Sequence, residues 1–599
     1  MSLERTGLPA GARPKADVGS AVVRLPAPLA ERRDPPDGGA PQPRPAARRA
    51  LVLALAGALL LAGAATWVWR FDPELSFYGD DDATYLILGK ALSDGRGYRM
   101  ITDPLEPPNT IYPPGYPLLI AGITRALGTP AIRDLLFPAK LLSFVLYLLS
   151  VVLFFLLERR REGVVIALAA TAIFALHPEI LQLAGEVMSE IPFLFFSLLG
   201  IVAFDRLVLA GGGKRDWRWI RWLVAAVLLT WPVYIRTIGV SMPFGAVLLL
   251  GWRRRIREAV MLGVAAAILL VPLALHTQSV SGPGLHGTYL QHFAAEDRPS
   301  AAATSSELTA RARPLAGPQA VVTAVLQRLH VGFWFYRRAV PTAAVYGGPG
   351  DTMTIPVPVA LLGLVLIVSG YFWRLRAAPG LAEVYLPLYM GVLLLWPYRS
   401  TRYFIPVLPF FILYAVKGLA FWFEATARWA RPAARTAALV SGMVLATSVA
   451  LGFAYQRHAL EAAVAGRPLE GRAWAAWIGG YMRATVWIAR NAPPEAVVYC
   501  LRPRHLSVVT GRQAGTYLVA PPEVLVERIR SQHVAYIIED VTPFSRQHLR
   551  PALEDLLRVG TARLVHEGAP GDGTRIWLVR GKADRKLGEA SRHSMGEGT

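Results

Sequence analysis

Cysteine is nearly absent from this sequence, because Cys500 is the single one among 599 residues. One cysteine cannot form an intrachain disulfide, so the domain that contains it depends on its core alone, and Cys500 is more typical of a buried small apolar residue than of a nucleophile. The chain also lacks a CxxC pair, an HExxH segment, a Walker loop and a nucleophile elbow. These absences argue against a nucleotide-driven pump and a serine hydrolase.

Charged residues are scarce as well, at 18% of the chain, whereas hydrophobic residues make up 53% and the mean hydropathy is +0.37. This composition is too apolar for an ordinary soluble enzyme and is typical of a polytopic membrane protein. Apolar stretches of about 17–23 residues, which cross a hydrocarbon core of about 30 Å as helix, occur about eleven times. They begin near Leu51, Leu135, Gly163, Ile191, Trp219, Thr237, Ala259, Thr354, Leu381, Tyr403 and Ala434.

The excess of basic residues is an orientation signal. Lys and Arg number 63 against 42 Asp and Glu, which gives a net charge of +21. If the N-terminus is cytoplasmic, the connections that fall inside are short and Arg-rich, as the positive-inside rule requires. They are ERRREG (158–163), GGGKRDWRWIR (211–221), WRRRIRE (252–258), WRLRAAPG (373–380) and ATARWARPAARTA (425–437). No basic-aromatic module stands outside the membrane, so no nucleic acid is expected as a partner.

The predicted fold is a polytopic α-helical membrane protein with a small C-terminal exoplasmic α/β domain. Residues 1–48, rich in Pro, Ala, Gly and Arg, predict a disordered cytoplasmic tail before an anchoring first span. The membrane domain is expected over 49–456, with exoplasmic loops at about 70–134 and 277–352. The segment around Arg236 predicts either a tight outside turn or a kink.

The C-terminal region has a different pattern. RATVWIARNAPPEAVVYC predicts an amphipathic helix, a Pro-containing turn and a short strand, and ERIRSQHVAYIIED repeats helix and strand. ARLVHEG followed by RIWLVRG predicts a closing hairpin. The α/β domain is therefore expected over 457–582, on the exoplasmic side, with a second disordered tail at 583–599.

Three consecutive aspartates, Asp80–Asp82, follow the first apolar stretch. They predict a helix that begins at an Asp cap, ends at Gly95 and lies along the outer face of the bilayer with Tyr85 on its apolar stripe. An acid that caps the helix and complements its dipole contributes about 0.3–1 kcal/mol. Three acids are more than a helix cap requires. The following NTIYPPGYPLL (109–119) contains a rigid Pro-Pro-Gly turn. An acidic helix start facing this aromatic-rich turn indicates a pocket, and simple capping is the alternative.

These motifs resemble polytopic glycosyltransferases of the C-type superfamily (GT-C), in particular the bacterial group related to aminoarabinose lipid A transferases and protein O-mannosyltransferases. The resemblance covers most of residues 50–580. It is carried by DDATY, GRGY and YPPGYPLLIAG in the first loop, GEVMSEIPFLFF (185–196), YIRTIGV (234–240), YRSTRYFIPVLPFFILYAVKGL (398–419) and the tail segment WIARNAPPEAVVYCLRPRHLSVVTGRQ.

The resemblance implies a polyprenyl-phosphate sugar as donor and an Asp at the start of the first-loop helix as catalytic base. The family spacing of four residues to a Tyr selects Asp81, with Asp82 as its acidic neighbour and Tyr85 as the marker. A carboxylate base makes chemical sense because it accepts the proton of an attacking hydroxyl. The phosphate leaves without a general acid, unlike the leaving group in a glycosidase, and direct displacement would invert the anomeric centre.

Further site residues are expected at the outer ends of the spans. Arg236, Arg399 and Arg402 are expected to bind the donor phosphate, with snorkelling or pairing to lipid headgroups as the alternative. Glu190 matches a second acidic position of the family and is expected to orient the acceptor or an arginine, although a helix-start carboxylate explains it too. The expected substrate pocket consists of Tyr85, Tyr112 and Tyr403.

A divalent cation is left open as a cofactor. Some relatives carry a Glu-Lys pair before the first-loop proline and bind a cation nearby, but Ile111 and Tyr112 occupy those places here. His177, Glu179 and His276 could supply ligands, yet scattered histidines usually make plain hydrogen bonds. No metal site is assigned.

The expected activity is transfer of a sugar from a polyprenyl phosphate to a hydroxyl of a lipid, glycan or protein, at the exoplasmic face of a bacterial-type inner membrane. The alternative is a carrier or flippase for a lipid-linked sugar. Transporters commonly show internal repeats and charges deep in their spans, whereas no clear repeat is present here and most acids lie at one face. A membrane-anchored sensor built around the C-terminal domain is a third alternative, which is less favoured because it would use about eleven spans for anchoring alone.

Overall fold

The computed structural model describes residues 45–71, 75, 81–109, 111–128, 131–210, 218–280, 318–346, 357–377, 379–396, 399–429, 472–517, 521–568 and 573–579. The elements from Ala54 onward belong to one compact unit. The described elements up to Trp429 are helical, and a sheet forms the C-terminal part.

The α-helices before the sheet are, in chain order, α1 (Pro45–Arg70), α2 (Asp81–Ser93), α3 (Gly115–Ala126), α4 (Leu136–Arg161), α5 (Val164–Ala175), α6 (Pro178–Ala184), α7 (Glu190–Ala203), α8 (Arg218–Ile235), α9 (Ser241–Trp252), α10 (Ile256–Val280), α11 (Pro318–Tyr346), α12 (Val357–Ala377), α13 (Leu381–Leu395) and α14 (Leu408–Trp429). Their apolar faces meet in one large core. Burial of this kind supplies most of the stability of helices in a folded chain.

Ten of the predicted spans coincide with apolar helices. Five described helices are long and apolar enough to cross a membrane, and α5 with α6 makes a sixth if the bent pair is one span. Four shorter apolar helices lie where spans are predicted from Leu51, Trp219, Thr237 and Leu381. The span predicted from Ala434 lies outside the described residues. A polytopic helical membrane protein is thus supported, and the number eleven stays a prediction.

Two breaks in the helices have local causes. Helices α5 and α6 are bent by 61° where Pro178 opens α6, because proline cannot continue the preceding helix. Helix α8 ends just before Arg236, and a Cβ added to Gly239 would lie 2.6 Å from the carbonyl carbon of Pro232. Residues seven apart in a continuous helix are about 10.5 Å apart along its axis, so the chain folds back here. The tight turn is therefore correct and the kink is not.

The first-loop helix α2 is more deeply buried than expected. It begins at Asp81 and ends near Gly95, which has a φ of +72°, as predicted. Asp80 lies outside the described residues. Residues 82–89 are all buried, so the expectation of one apolar stripe is wrong, whereas the position of the helix along the outer face of the bilayer stays a prediction. Helix α3 and the C-terminal domain pack against this helix.

The second predicted loop, 277–352, contains helix α11 within its described part. Sequence analysis does not predict this helix, because Arg328, Arg337 and Arg338 interrupt any long apolar run. Tyr336 and Ala343 of α11 are nevertheless buried in the main core.

A buried ion network joins four helices away from the first loop. Arg374 of α12 contacts Glu158 of α4 at 2.5 Å, Glu383 of α13 at 3.0 Å and Glu162 at 3.3 Å. Lys417 of α14 also contacts Glu162, at 2.9 Å. The connections 158–163 and 373–380, both predicted to face the cytoplasm, therefore lie together.

The C-terminal domain is a five-stranded sheet with helices, in agreement with its predicted pattern. Its elements are α15 (Arg472–Asn491), β1 (Val497–Tyr499), α16 (Pro503–Thr510), β2 (Ala514–Gly515), α17 (Pro522–Ser531), β3 (Val534–Glu539), α18 (Arg550–Arg558), β4 (Ala562–Glu567) and β5 (Arg575–Val579). The strand order is β2-β1-β3-β5-β4. Strands β1, β2 and β3 are parallel, and β5 runs antiparallel to both β3 and β4, which confirms the closing hairpin.

Cys500 is buried after β1, as expected, close to the hydroxyl of Tyr481. The C-terminal domain packs directly against the first loop. Arg504 of α16 donates to Thr84 Oγ1 at 3.2 Å, and the backbone N–H of Ala514 donates to the carbonyl of Thr102 at 2.9 Å. Thr84 itself is buried in α2. This domain thus takes part in fixing the helix that begins at Asp81.

Candidate active site

The Pro-Pro-Gly turn of the first loop packs against the end of α8. A Cβ added to Gly115 would lie 2.7 Å from the carbonyl oxygen of Tyr234. Only glycine permits this approach, and it brings the aromatic turn next to the break that contains Arg236. Two segments far apart in sequence therefore meet at one place.

Asp81 lies at the start of α2, between two donors from distant parts of the chain. The hydroxyl of Tyr112 donates to Asp81 Oδ1 at 2.6 Å, and Arg402 Nη2 donates to Asp81 Oδ2 at 2.9 Å. The Asp81 side chain keeps 14% of its surface exposed. The helix N-terminus favours a negative charge at this position.

Glu190 forms a second carboxylate centre at the start of α7. Its Oε1 lies 2.7 Å from Arg236 Nη1 and 4.0 Å from Arg402 Nε, and the side chain is 1% exposed. Ser189 next to it accepts hydrogen bonds from Arg236 at 3.0 Å and from the Tyr85 hydroxyl at 2.9 Å. Helices α2 and α7 and the α8 break are thereby held together.

The remaining predicted residues surround these two centres. The ring of Tyr403 lies 5.3 Å from the guanidinium carbon of Arg402 and 5.9 Å from that of Arg236, within the range of cation–π attraction. The ring of Tyr85 meets that of Tyr112 edge-on at 5.3 Å. Tyr389 fixes the backbone of Tyr403 by donating to its carbonyl at 2.6 Å.

Asp82 and Arg399 lie close in sequence to residues of the cluster, Asp81 and Arg402 respectively. Asp82 is buried, and its Oδ1 accepts from the backbone N–H of Ala83 at 2.7 Å. Arg399 lies three residues before Arg402, with its Nε and Nη2 atoms buried. Between the two arginines, Thr401 donates to Glu179 Oε1 at 3.4 Å.

Sequence analysis missed two residues of this region. Ser189, which links Tyr85 to Arg236, stands next to Glu190 in the motif MSEIP, and this adjacency was the available signal. Glu186, which is three residues before Ser189, lies between α6 and α7, and its Oε2 atom is buried. Burial raises the pKa of Glu186 to about 8, and the charges of Asp82 and Glu190 act in the same direction.

The residues considered as metal ligands make ordinary hydrogen bonds. His177 Nε2 lies 3.1 Å from the carbonyl oxygen of Ala343, and His276 Nε2 lies 3.1 Å from that of Asn109. Within the part of the chain that the structure describes, no group of three or more His, Cys, Asp or Glu side chains is arranged to hold a metal ion.

The cluster can perform two chemical tasks. A partly exposed carboxylate fixed by a hydroxyl and a guanidinium can accept a proton from an alcohol. Two guanidinium groups, Arg236 and Arg402, both near the Tyr403 ring, can stabilise an anion such as a phosphate.

Comparison with known proteins identifies the fold. No protein-family model matches the chain, and no curated protein matches it in sequence. Among solved structures, ArnT from Cupriavidus metallidurans bound to undecaprenyl phosphate matches with a TM-score of 0.51 at 14% identity, over 89% of this chain and 98% of that one. The same protein in the apo state matches with a TM-score of 0.51 at 13% identity, over the same shares. The chain has the GT-C fold.

A second GT-C structure shows the same likeness. The archaeal oligosaccharyltransferase AglB from Archaeoglobus fulgidus, in complex with an inhibitory peptide and a dolichol-phosphate, matches with a TM-score of 0.50 at 12% identity. The match covers 82% of this chain and 70% of that one. The resemblance predicted from the loop motifs is thus confirmed at the level of the GT-C fold.

Proposed function

We propose that this protein is a membrane glycosyltransferase, which transfers a sugar from a polyprenyl phosphate to a hydroxyl acceptor at the exoplasmic membrane face. The observation that carries the proposal is the position of Asp81, held by Tyr112 and Arg402 within a GT-C fold. The solved neighbours add support, since ArnT binds undecaprenyl phosphate and AglB binds a dolichol-phosphate.

In the proposed reaction, the hydroxyl oxygen of the acceptor attacks the anomeric carbon of the sugar while Asp81 accepts the proton of that hydroxyl. A new C–O bond forms, the bond between that carbon and the phosphate oxygen breaks, and polyprenyl phosphate leaves. Attack opposite the leaving group inverts the anomeric centre. Because a phosphate is a good leaving group, one carboxylate suffices, unlike the pair that glycosidases need.

The arginines would stabilise the negative charge that develops on the departing phosphate. Arg236 and Arg402 are positioned for this task by Glu190, Ser189 and the ring of Tyr403. Fixed donors near lipid are effective because a medium of low dielectric strengthens their interaction with an anion. Arg399 would add positive charge nearby, Tyr85 and Tyr112 would line the pocket, and Asp82 would support Asp81.

The partners and location follow from this activity. The donor is a polyprenyl-phosphate sugar, and the acceptor is a lipid, glycan or protein that offers a hydroxyl. The protein would cross a bacterial-type inner membrane several times, with the N-terminus in the cytoplasm and the C-terminal domain outside. The basic connections support this orientation.

A carrier for lipid-linked sugars is the second candidate. The 61° break between α5 and α6 favours it, since broken helices are common in transporters. The cluster of Asp81, Glu190 and their arginines favours chemistry instead, because a carrier has no use for a positioned base.

The test uses the full chain in proteoliposomes with a radiolabelled polyprenyl-phosphate sugar and envelope extract as acceptor. Asp81→Asn should lower the rate of product formation by at least about 100-fold, the range expected for loss of a general base. Asp94→Asn is the matched control, because Asp94 follows the other end of α2 and pairs with Lys90. A carrier would move lipid without product and would not depend on Asp81. Wild-type protein that transfers no sugar, or an active Asp81→Asn variant, would refute the proposal.

A further inference from the structure

The proposed base is already engaged on both oxygens. Tyr112 donates to Asp81 Oδ1 and Arg402 donates to Asp81 Oδ2. An acceptor hydroxyl must reach one of these oxygens before it can give up its proton. Of the two donors, a neutral hydroxyl and a guanidinium, only the guanidinium has a natural partner in a phosphate-bearing substrate.

Arg402 is also the more exposed of the two arginines. It lies on a short turn, Thr401–Tyr403, and keeps 25% of its side-chain surface exposed. Arg236 keeps 19% of its side-chain surface exposed and contacts both Glu190 at 2.7 Å and Ser189 at 3.0 Å. Arg402 Nε lies 4.0 Å from Glu190 Oε1, so the Arg402 guanidinium would stay close to a carboxylate if it moved away from Asp81 toward Glu190.

The charge of the cluster favours such a shift when an anion enters. Two carboxylates, those of Asp81 and Glu190, face the two guanidinium groups of Arg236 and Arg402. A phosphodiester brings one more negative charge, which must be matched by a cation. The planar fork of an arginine binds phosphate oxygens in pairs, as it does carboxylates.

We infer that Arg402 exchanges partners during the reaction, leaving Asp81 Oδ2 for the donor phosphate when the donor binds. This inference rests on the proposed transferase function. The exchange frees Oδ2 for the acceptor hydroxyl, while Tyr112 keeps the carboxylate oriented through Oδ1. Arg402 is then a positioning residue for the base as well as a phosphate ligand, and the base becomes available only after the donor has bound.

The experiment is a double-mutant cycle of binding. The probe is undecaprenyl phosphate without sugar, and its Kd is measured for the full chain in nanodiscs at fixed pH and salt. The proteins are wild type, Asp81→Asn, Arg402→Gln and the double variant. Asp81→Asn should bind about tenfold more tightly than wild type, because Arg402 is no longer occupied, and this gain should be lost in the Arg402→Gln background. Asp94→Asn, beyond the other end of α2 where Asp94 pairs with Lys90, is the control for simple loss of a negative charge and should change the Kd by less than about threefold.

Each outcome decides one question. Equal tightening in both backgrounds would show general charge repulsion and would overturn the inference, as would no tightening by Asp81→Asn. If wild-type protein does not bind undecaprenyl phosphate at all, the proposed function fails instead. Thermal unfolding checks that each variant is folded. If Arg402→Gln does not fold, Arg402→Lys replaces it, because lysine keeps the charge but lacks the fork, and the gain from Asp81→Asn should then shrink without vanishing.

Discussion

The hydroxyl of Tyr112 offers a direct test of how the proposed base, Asp81, is oriented. Tyr112→Phe removes one hydrogen bond of 2.6 Å to Asp81 and leaves the ring, which contacts Tyr85, in place. Hydrogen bonds to charged groups contribute about 1.5–3 kcal/mol, which corresponds to a loss of about 10- to 100-fold in kcat if the bond is used in the transition state. The variant should remain folded, because an aromatic ring of nearly equal volume fills the site.

The assay is the initial rate of sugar transfer at saturating donor, together with the unfolding temperature. Tyr116→Phe is the matched control, since Tyr116 belongs to the same turn but its hydroxyl pairs with Ser143 at 3.1 Å. This control should keep kcat within about threefold of wild type, because it loses only a neutral hydrogen bond away from Asp81. A Tyr112→Phe variant with wild-type kcat, or a control that loses as much, would refute the orientation by Tyr112.

Two further predictions concern stability. Arg374→Met removes the cation that Glu158, Glu162 and Glu383 share, and uncompensated buried acids cost about 3–5 kcal/mol, so the unfolding temperature in detergent should fall clearly. Glu186→Gln should flatten the pH dependence of the unfolding temperature. Burial raises the folded-state pKa of Glu186 to about 8, so the contribution of Glu186 to the free energy of unfolding is full at low pH and is lost as the pH rises toward 8. The unfolding temperature of wild type should therefore fall by several degrees over this range, whereas that of Glu186→Gln should not.

Both stability predictions have controls on the exposed surface. Arg376→Met changes an exposed arginine two residues from Arg374 on the same helix and should leave the unfolding temperature unchanged. Glu554→Gln, in α18, should leave the pH profile as in wild type. An unaltered unfolding temperature in Arg374→Met would contradict the structural importance of the ion network. An identical pH profile in Glu186→Gln would contradict the perturbed carboxyl group.

The sequence predicted the helical architecture well, because hydropathy reports directly on the length of a span. Local signals also located the start of α2 at Asp81, the break at Arg236 and the closing hairpin of the C-terminal domain. Helix α11 was not predicted, because its arginines interrupt the apolar pattern that identifies a span. The burial of α2 depends on its partners α3 and α16, which no local pattern reveals.

The site was predicted as a set of residues rather than as a set of contacts. Asp81 and Arg402 are 321 positions apart, and nothing in either motif shows that they pair. The same holds for Glu190 and Arg236, whose contact requires the start of α7 to pack beside the end of α8. Motif resemblance could select these residues because the fold brings together the ends of several helices, but only the structure shows which acid meets which arginine.

The contact between Arg504 and Thr84 has a consequence for protein engineering. Thr84 lies within the first turns of the helix that carries Asp81, so a graft that exchanges the C-terminal domain also replaces part of the support of the proposed base. Chimeras built to alter acceptor choice should therefore retain α16 and its arginine from the parent chain. A fusion boundary placed after Gly515 would preserve this support, together with the backbone bond from Ala514 to Thr102.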